Sequence, residues 1–208
     1  MDALPHPPAT AEPCAAAQWA WALIQHRQTI LPKRLAEPGP DQAQLDLIWR
    51  AAAAAPDHGE LVPWRFVLVP ATQRERLAQV FADALLARDP LAAPEQVARA
   101  REKAFRAPVL MLAVVRTGVA GEDVPAAERL ISAGCAIQNM LLMATALGYG
   151  SALTSGKALD SPGLRALFAL AEHEQAVCFV SLGTAVRRKP SRERPPPAHY
   201  VSSLPPQP

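Results

Sequence analysis

The sequence predicts an α+β domain in which helices are layered against a sheet. Three observations predict it. Helical segments outnumber strands, and the strands do not alternate with them in a βαβ rhythm. The stretch Val109–Val115 is continuously apolar and β-rich, the pattern of a strand covered on both faces. The stretch Ile131–Leu147 is apolar nearly all round, the pattern of a central, buried helix.

The elements follow in order. Residues 1–14 are rich in Pro and Ala and read as a flexible arm. A helix covers Ala15–His26, with Trp19, Leu23 and His26 near one face, and Pro32 forbids its continuation. Glu37-Pro38-Gly39-Pro40 is turn chemistry, and Asp41 can cap a second helix from Gln42 to Ala55 whose apolar stripe is Leu45, Ile48 and Trp49. Arg65–Val69 reads as a strand. Helices follow over Gln73–Ala87 and Pro94–Ala104, the second with an exposed charged face. Asp123–Glu128 opens the long helix, which ends at Gly148, a natural C′ residue. Gly150–Thr154 is a short strand, Asp160-Ser161-Pro162 starts a helix, and Val177–Leu182 is a third apolar strand. From Lys189 onward the chain is rich in Pro and Arg and has no core pattern. The expected organisation is an arm (1–14), one folded domain (15–190) and a Pro-rich tail (191–208).

Composition narrows the class. The chain has 208 residues, 50% of them hydrophobic and 19% charged, which excludes a fully disordered protein. Lys plus Arg number 21 against 19 Asp plus Glu, so no broad field steers the protein onto nucleic acid. The 22 prolines gather toward both ends. Cys14, Cys135 and Cys178 have neither metal spacing nor a disulfide pattern, as expected in a reducing cytoplasm. Met1–Pro5 shows no signal-peptide character, and no apolar run approaches the ~20 residues of a membrane helix. The expectation is a cytoplasmic protein with neither a membrane nor a nucleic-acid partner.

Few residues suggest chemistry on their own. Arg27, Thr29, Lys33 and Arg34 place cations and a hydroxyl where a helix gives way to a loop, a pattern suited to phosphate but equally that of a solvated basic turn. Arg187-Arg188-Lys189 follows a strand end and could complete such a site. Asp57-His58 lacks a nucleophile in an elbow context, so hydrolysis is disfavoured. Gly148-Tyr149-Gly150 follows a helix rather than a strand, the wrong context for a dinucleotide fingerprint. Cys135 reads as a small core residue, and His173 and His199 lack a second ligand at metal spacing. These residues support a domain that binds a phosphorylated ligand.

An ordered set of segments carries a resemblance. It comprises Arg27-Gln28-Thr29, Lys33–Pro38, Ala55-Pro56-Asp57-His58-Gly59 and Pro63-Trp64-Arg65-Phe66. Further on are Ser132–Met140, Gly148-Tyr149-Gly150, Thr154-Ser155-Gly156 and Leu182-Gly183-Thr184. Over residues 18 to 190 this resembles the FMN-dependent nitroreductase family, in its compact branch.

The resemblance implies a nitroreductase-like layered sandwich with a central antiparallel or mixed sheet. It implies a homodimer holding FMN at the subunit interface, the long helix forming much of the contact. It implies an oxidoreductase that takes a hydride from NAD(P)H onto the flavin N5 and passes electrons to a nitroaromatic, a quinone or a similar acceptor in ping-pong fashion. No side chain would act as nucleophile or general base, because the cofactor carries the chemistry. In the family an Arg-Arg-Ser triplet grips the FMN phosphate and ribityl chain; here Arg27, Gln28 and Thr29 take those places. His58 would approach the flavin from the partner chain, and Ala54 stands where relatives have an Arg. Leu153, Thr154 and Ser155 would lie against the ring, where relatives often carry Trp-Arg-Ser. Arg188 or Lys189 would supply phosphate charge. The departures at Gln28, Ala54 and Thr154 keep open the alternative of a non-catalytic flavin-binding protein; a specialised flavin enzyme of the same fold is a further alternative.

Overall fold

The computed structural model describes residues 14–118, 123–188, 190 and 192–204. Most of the expected arm, together with Lys189, Ser191 and residues 205–208, lies outside the described residues.

Eleven labelled elements follow in chain order: α1 (Ala15–His26), β1 (Leu35–Ala36), α2 (Gln42–Ala52), β2 (Trp64–Leu68), α3 (Arg74–Leu86), α4 (Pro94–Glu102), β3 (Val109–Arg116), α5 (Ala126–Ala146), β4 (Gly150–Thr154), α6 (Pro162–Leu167) and β5 (Glu174–Ala185). The α+β class is as expected. All named strands pair antiparallel, and β5 is the hub, bonded to β1, β3 and β4, with β2 beyond β3. One isolated parallel bridge joins Thr29 to Ser151.

The apolar run in β3 has the expected cause. Val109, Met111, Ala113 and Val115 enter a core cluster with α2 and α5, while Leu110, Leu112 and Val114 enter another with α3 and α6. Because successive side chains point to opposite faces, a strand clothed on both sides must be apolar throughout. Fully buried side chains such as Met111 and Leu112 each contribute about 1.5–3 kcal/mol. In β5 the alternation breaks once. Ala113 faces Cys178 and Val114 faces Ala176, so Val177 is an extra residue in a β-bulge. Beyond it Cys178, Val180 and Leu182 join the α2/α5 cluster and Phe179 joins the other.

Local signals acted largely as read. The Asp41 carboxylate accepts the Gln44 N–H, and the Gln44 side chain accepts the Asp41 N–H, a complete capping box. Ser161 caps α6. Gly148, at φ 88°, ends α5 in the left-handed region open to glycine.

Four expectations are corrected. The second helix stops at Ala52, three residues early, because the approach to Pro56 is already turn. The last strand runs over Glu174–Ala185, longer than expected, since pairing with β1 and β4 extends it beyond its apolar centre. The long helix is not covered all round: Ala133, Ala136, Met140 and Ala144 are buried, but Ile131 is 67% exposed. Cys135 is half-buried rather than in the core, because it lies on the flank of that helix. The two-residue β1 has no periodic signal and was not anticipated.

Candidate cofactor site

The loop after α1 is laid against β4. Arg27 closes α1 by donating its N–H to Leu23, then leaves helical geometry. The Ile30 N–H donates to the Ser151 carbonyl at 2.9 Å, next to the parallel Thr29–Ser151 bridge. Leu31 and Pro32 therefore run in the same direction as β4, toward Thr154.

Arg27 is half-buried, and burial lowers its pKa, with further lowering from the nearby guanidinium groups of Arg194 and Arg192. Among the described residues no carboxylate pairs with it. A half-buried cation with no ion-pair partner among the described residues, in the field of two more, is suited to an anion. Thr29 is exposed beside them. Gln28 buries its side-chain carbonyl Oε1 with no hydrogen-bond partner, as does Ser151 its hydroxyl. Such orphaned groups are uncommon in folded proteins and call for an explanation.

Arg188 makes two contacts within the chain. Its guanidinium lies 3.2 Å from His26 Nε2 and donates to the Gly148 carbonyl at 3.1 Å. It ties the chain after β5 to the C-terminal ends of α1 and α5. Arg192 and Arg194, in the segment read only as tail, are the cations that reach Arg27.

Leu153 and Thr154 face opposite sides of the sheet. Thr154 is paired with Phe179 and Leu153 with Val180, and cross-strand partners share a face. Thr154, Ser155, Leu31 and Pro32 line a cavity of about 620 Å³, together with Phe179. That volume lies within the range typical of small-molecule sites, about 300–1,000 Å³. Leu153 is 41% exposed on the other face and does not line it.

The cavity has an apolar floor and a cationic mouth. Phe81 and Leu85 of α3, Leu110 of β3 and Leu159 give the floor; Arg88, Arg99, Lys103, Arg106 and Lys157 stand around it. No Asp or Glu lines it. Of these, only Arg106 has an ion-pair partner among the described residues, Glu102 at 3.3 Å. Sequence reasoning missed this cavity because the charges of the fourth helix read as a solvated face. Nothing in a single sequence reveals that part of this face looks across at β4.

His58 does not line the cavity. It sits on a tight turn in which Glu60 (φ 52°) and Val62 (φ 43°) are left-handed, and Asp57 accepts the Val62 N–H at 2.6 Å. His58 Nδ1 lies 2.8 Å from Glu128 Oε2 at the start of α5, with the ring 67% exposed. The turn thus leaves the imidazole largely exposed while its Nδ1 is tied to the start of α5.

The arrangement is suited to holding a flat, anionic molecule rather than to supplying a nucleophile. Burial pushes the Cys178 thiol up to about 11, which keeps it protonated. Among the described residues no group of three His, Cys, Asp or Glu is placed to hold a metal ion, and no helix is long and apolar enough to cross a membrane.

Comparison with known proteins agrees with this architecture. The chain is 36% identical over 170 residues to the Escherichia coli protein named "Putative NAD(P)H nitroreductase YdjA", covering 81% of this chain and 91% of that one. A Haemophilus influenzae protein of the same description is 31% identical over 156 residues, with coverages of 75% and 84%. Among solved structures, a nitroreductase-like protein from Bacillus cereus superposes with a TM-score of 0.75 at 16% identity, covering 88% of this chain and 95% of its own. A nitroreductase with bound FMN from Bacteroides fragilis gives 0.65 at 22% identity, covering 88% and 97%. At these identities the structures speak to the fold alone. The nitroreductase family model matches residues 24–184, and with the curated relatives this settles kinship: the chain belongs to the nitroreductase family.

Proposed function

We propose that the protein is an FMN-dependent oxidoreductase that accepts a hydride from NAD(P)H and reduces a nitroaromatic, a quinone or a related acceptor by turns in one cavity. The observation that carries this reading is the meeting of two segments far apart in sequence. Leu31-Pro32, just past the Arg27-Gln28-Thr29 loop, and Thr154-Ser155, at the end of β4, border the same cavity. The wall that Thr154 and Ser155 give the cavity suits a planar ring, and the half-buried Arg27, a few residues before Leu31-Pro32, suits the phosphate of that ring's chain. The relatives named NAD(P)H nitroreductases support the same class.

Bound FMN would supply the two-electron redox chemistry; the protein's part is binding, orientation and exclusion of water. Arg27, with Arg192 and Arg194 beside it, would hold the phosphate. The Thr29 hydroxyl and the unpartnered Gln28 Oε1 would serve the ribityl hydroxyls. Thr154 and Ser155 would border the ring, and Leu153, on the other face of the sheet, would support that strand from behind. Arg188 would act by bracing the loop through His26 and Gly148.

We further propose that the working unit is a homodimer with FMN at the subunit interface. In the single chain no residue of α1 is buried, and Trp19 and Trp21 are 76% and 65% exposed. With Ile24, and Leu130 and Ile131 of α5, they leave more apolar surface uncovered than a solitary domain usually shows. His58, largely exposed beside Glu128, would reach the partner's flavin.

The deciding experiment is a visible spectrum of the purified protein, before and after anaerobic addition of NADPH and then of an acceptor. A flavin spectrum that bleaches with NADPH and returns with the acceptor is expected. Folded protein that takes up no FMN at micromolar concentration overturns the reading. Flavin that binds but stays oxidised favours a non-catalytic flavin-binding protein.

A further inference from the structure

The cations around the cavity mouth fall into two kinds. Arg106 is neutralised by Glu102. Arg99 and Lys103 have neither a hydrogen bond nor an ion pair among the described residues, and Lys157 faces the same space. Arg99 and Lys103 are four residues apart, so they rise from one face of the helical stretch, where like charges repel. No carboxylate lines the cavity to offset them. Arg88, which donates to the Ala84 carbonyl at 3.2 Å, lines the cavity too, whereas Arg27, Arg192 and Arg194 line none of it.

We propose that Arg99 and Lys103 are specificity residues that read the charge of the substrate entering this cavity, and that the substrate class is an aromatic or heteroaromatic ring bearing an oxyanion, carboxylate or phosphate. The inference rests on the reading of the cavity as a flavin-dependent redox site. The apolar floor from Phe81, Leu85 and Phe179 takes the ring; the exposed cations at the mouth take the anion. The same chemistry is available in two substrates that would visit in turn: the extra phosphate of NADPH relative to NADH, and an acidic group on the acceptor.

The test uses the full-length FMN-loaded protein and the double variant Arg99→Gln/Lys103→Gln, which removes both charges from exposed positions while keeping good helix formers. FMN affinity is measured first, by flavin fluorescence, so that failure of the cofactor reading is seen separately. Equilibrium binding of 4-nitrobenzoate and of neutral 4-nitrobenzyl alcohol to the oxidised flavoprotein is then followed by perturbation of the flavin spectrum. In a second arm, anaerobic single-turnover reduction compares NADPH with NADH. In the native protein the anionic member of at least one pair is favoured by about three- to tenfold, a preference that shrinks with added salt and is lost in the double variant. Loss in the first arm assigns the acidic group to the acceptor, and loss in the second assigns it to the reductant. Equal treatment of both pairs by the native protein overturns the proposal. So does a variant that binds FMN more weakly while keeping the discrimination, since the cations would then belong to the cofactor.

Discussion

Replacing Arg27 by Ala separates a binding role from a structural one, because the two predict opposite signs. In the chain alone Arg27 is an unfavourable residue: it is half-buried and faces Arg192 and Arg194, and all three effects push its pKa down. No carboxylate compensates among the described residues, and its backbone bond to Leu23 survives truncation. Without cofactor, Arg27→Ala is therefore expected to unfold at the same denaturant concentration as the native protein or a slightly higher one. A phosphate would reverse this balance. Loss of one charge-assisted contact to it costs about 1.5–3 kcal/mol, or roughly 10- to 150-fold in the FMN dissociation constant. Fluorescence titration with FMN at two salt concentrations, beside a urea melt of the cofactor-free protein, measures both quantities. A variant that binds FMN as tightly as the native protein, or whose cofactor-free form is clearly destabilised, refutes the assignment of Arg27 as phosphate ligand.

Three other outcomes are expected. The Arg65 guanidinium, hydrogen-bonded to Glu174 through two nitrogens at 2.7 and 2.8 Å, is the main cause that holds the Glu174 carboxyl down to about 2. A depressed carboxyl stabilises the fold above its unfolded value near 4.5 and loses that contribution as pH falls from about 5 toward 2. Because Arg65 is 40% exposed, the contribution is about 1–2 kcal/mol rather than the full linkage value; thermal melts of Glu174→Gln should lie below native at pH 7 and converge with it near pH 2. For Gly183→Ala, the new Cβ would stand 2.7 Å from Pro108 Cδ and 3.1 Å from the Ala36 carbonyl oxygen, so urea melts should show a loss of about 1–3 kcal/mol, whereas Gly134→Ala, with nothing within 4 Å, should be neutral or stabilising. Trp19→Ser/Trp21→Ser removes only side chains that are exposed in the single chain; sedimentation should shift toward monomer with little change in the secondary-structure spectrum, and an unchanged mass would place the dimer contact elsewhere.

The fold was legible where one local cause decides the outcome. The capping box at Asp41, the terminator at Gly148 and the doubly covered strand at Val109–Val115 are all written in a few adjacent residues. Less legible were features set by distant partners. The two residues Leu35 and Ala36 become a strand only because the end of β5 is there to pair with them. Ile131 looks like core by its chemistry, yet nothing in its own chain covers it. At the site, Arg27 and Thr29 stood out by their chemistry and Thr154 through the family likeness. Arg99 and Lys103 did not stand out, because a cation facing a cavity and one facing solvent leave the same trace in sequence. Nor does sequence disclose that Arg188, whose place after a strand suggests a ligand, also joins the ends of two helices.

The bulge at Val177 has a consequence for tolerated change. Deleting that one residue would leave Ala176 opposite Val114 and Cys178 opposite Ala113 as consecutive pairs, so β5 would run regular with its side chains on their present faces; deleting Val180 instead, with the strand ends held in register, would turn Cys178 and Phe179 to the opposite faces, exchanging what is shown to α5 with what is shown to α3. Phe179 would leave the cavity floor and Thr154, paired with it, would lose its neighbour. Substitutions by residues of similar volume, and loss of the bulge residue itself, should be absorbed along this strand, but a residue lost after the bulge should not, so place in the count outweighs identity there.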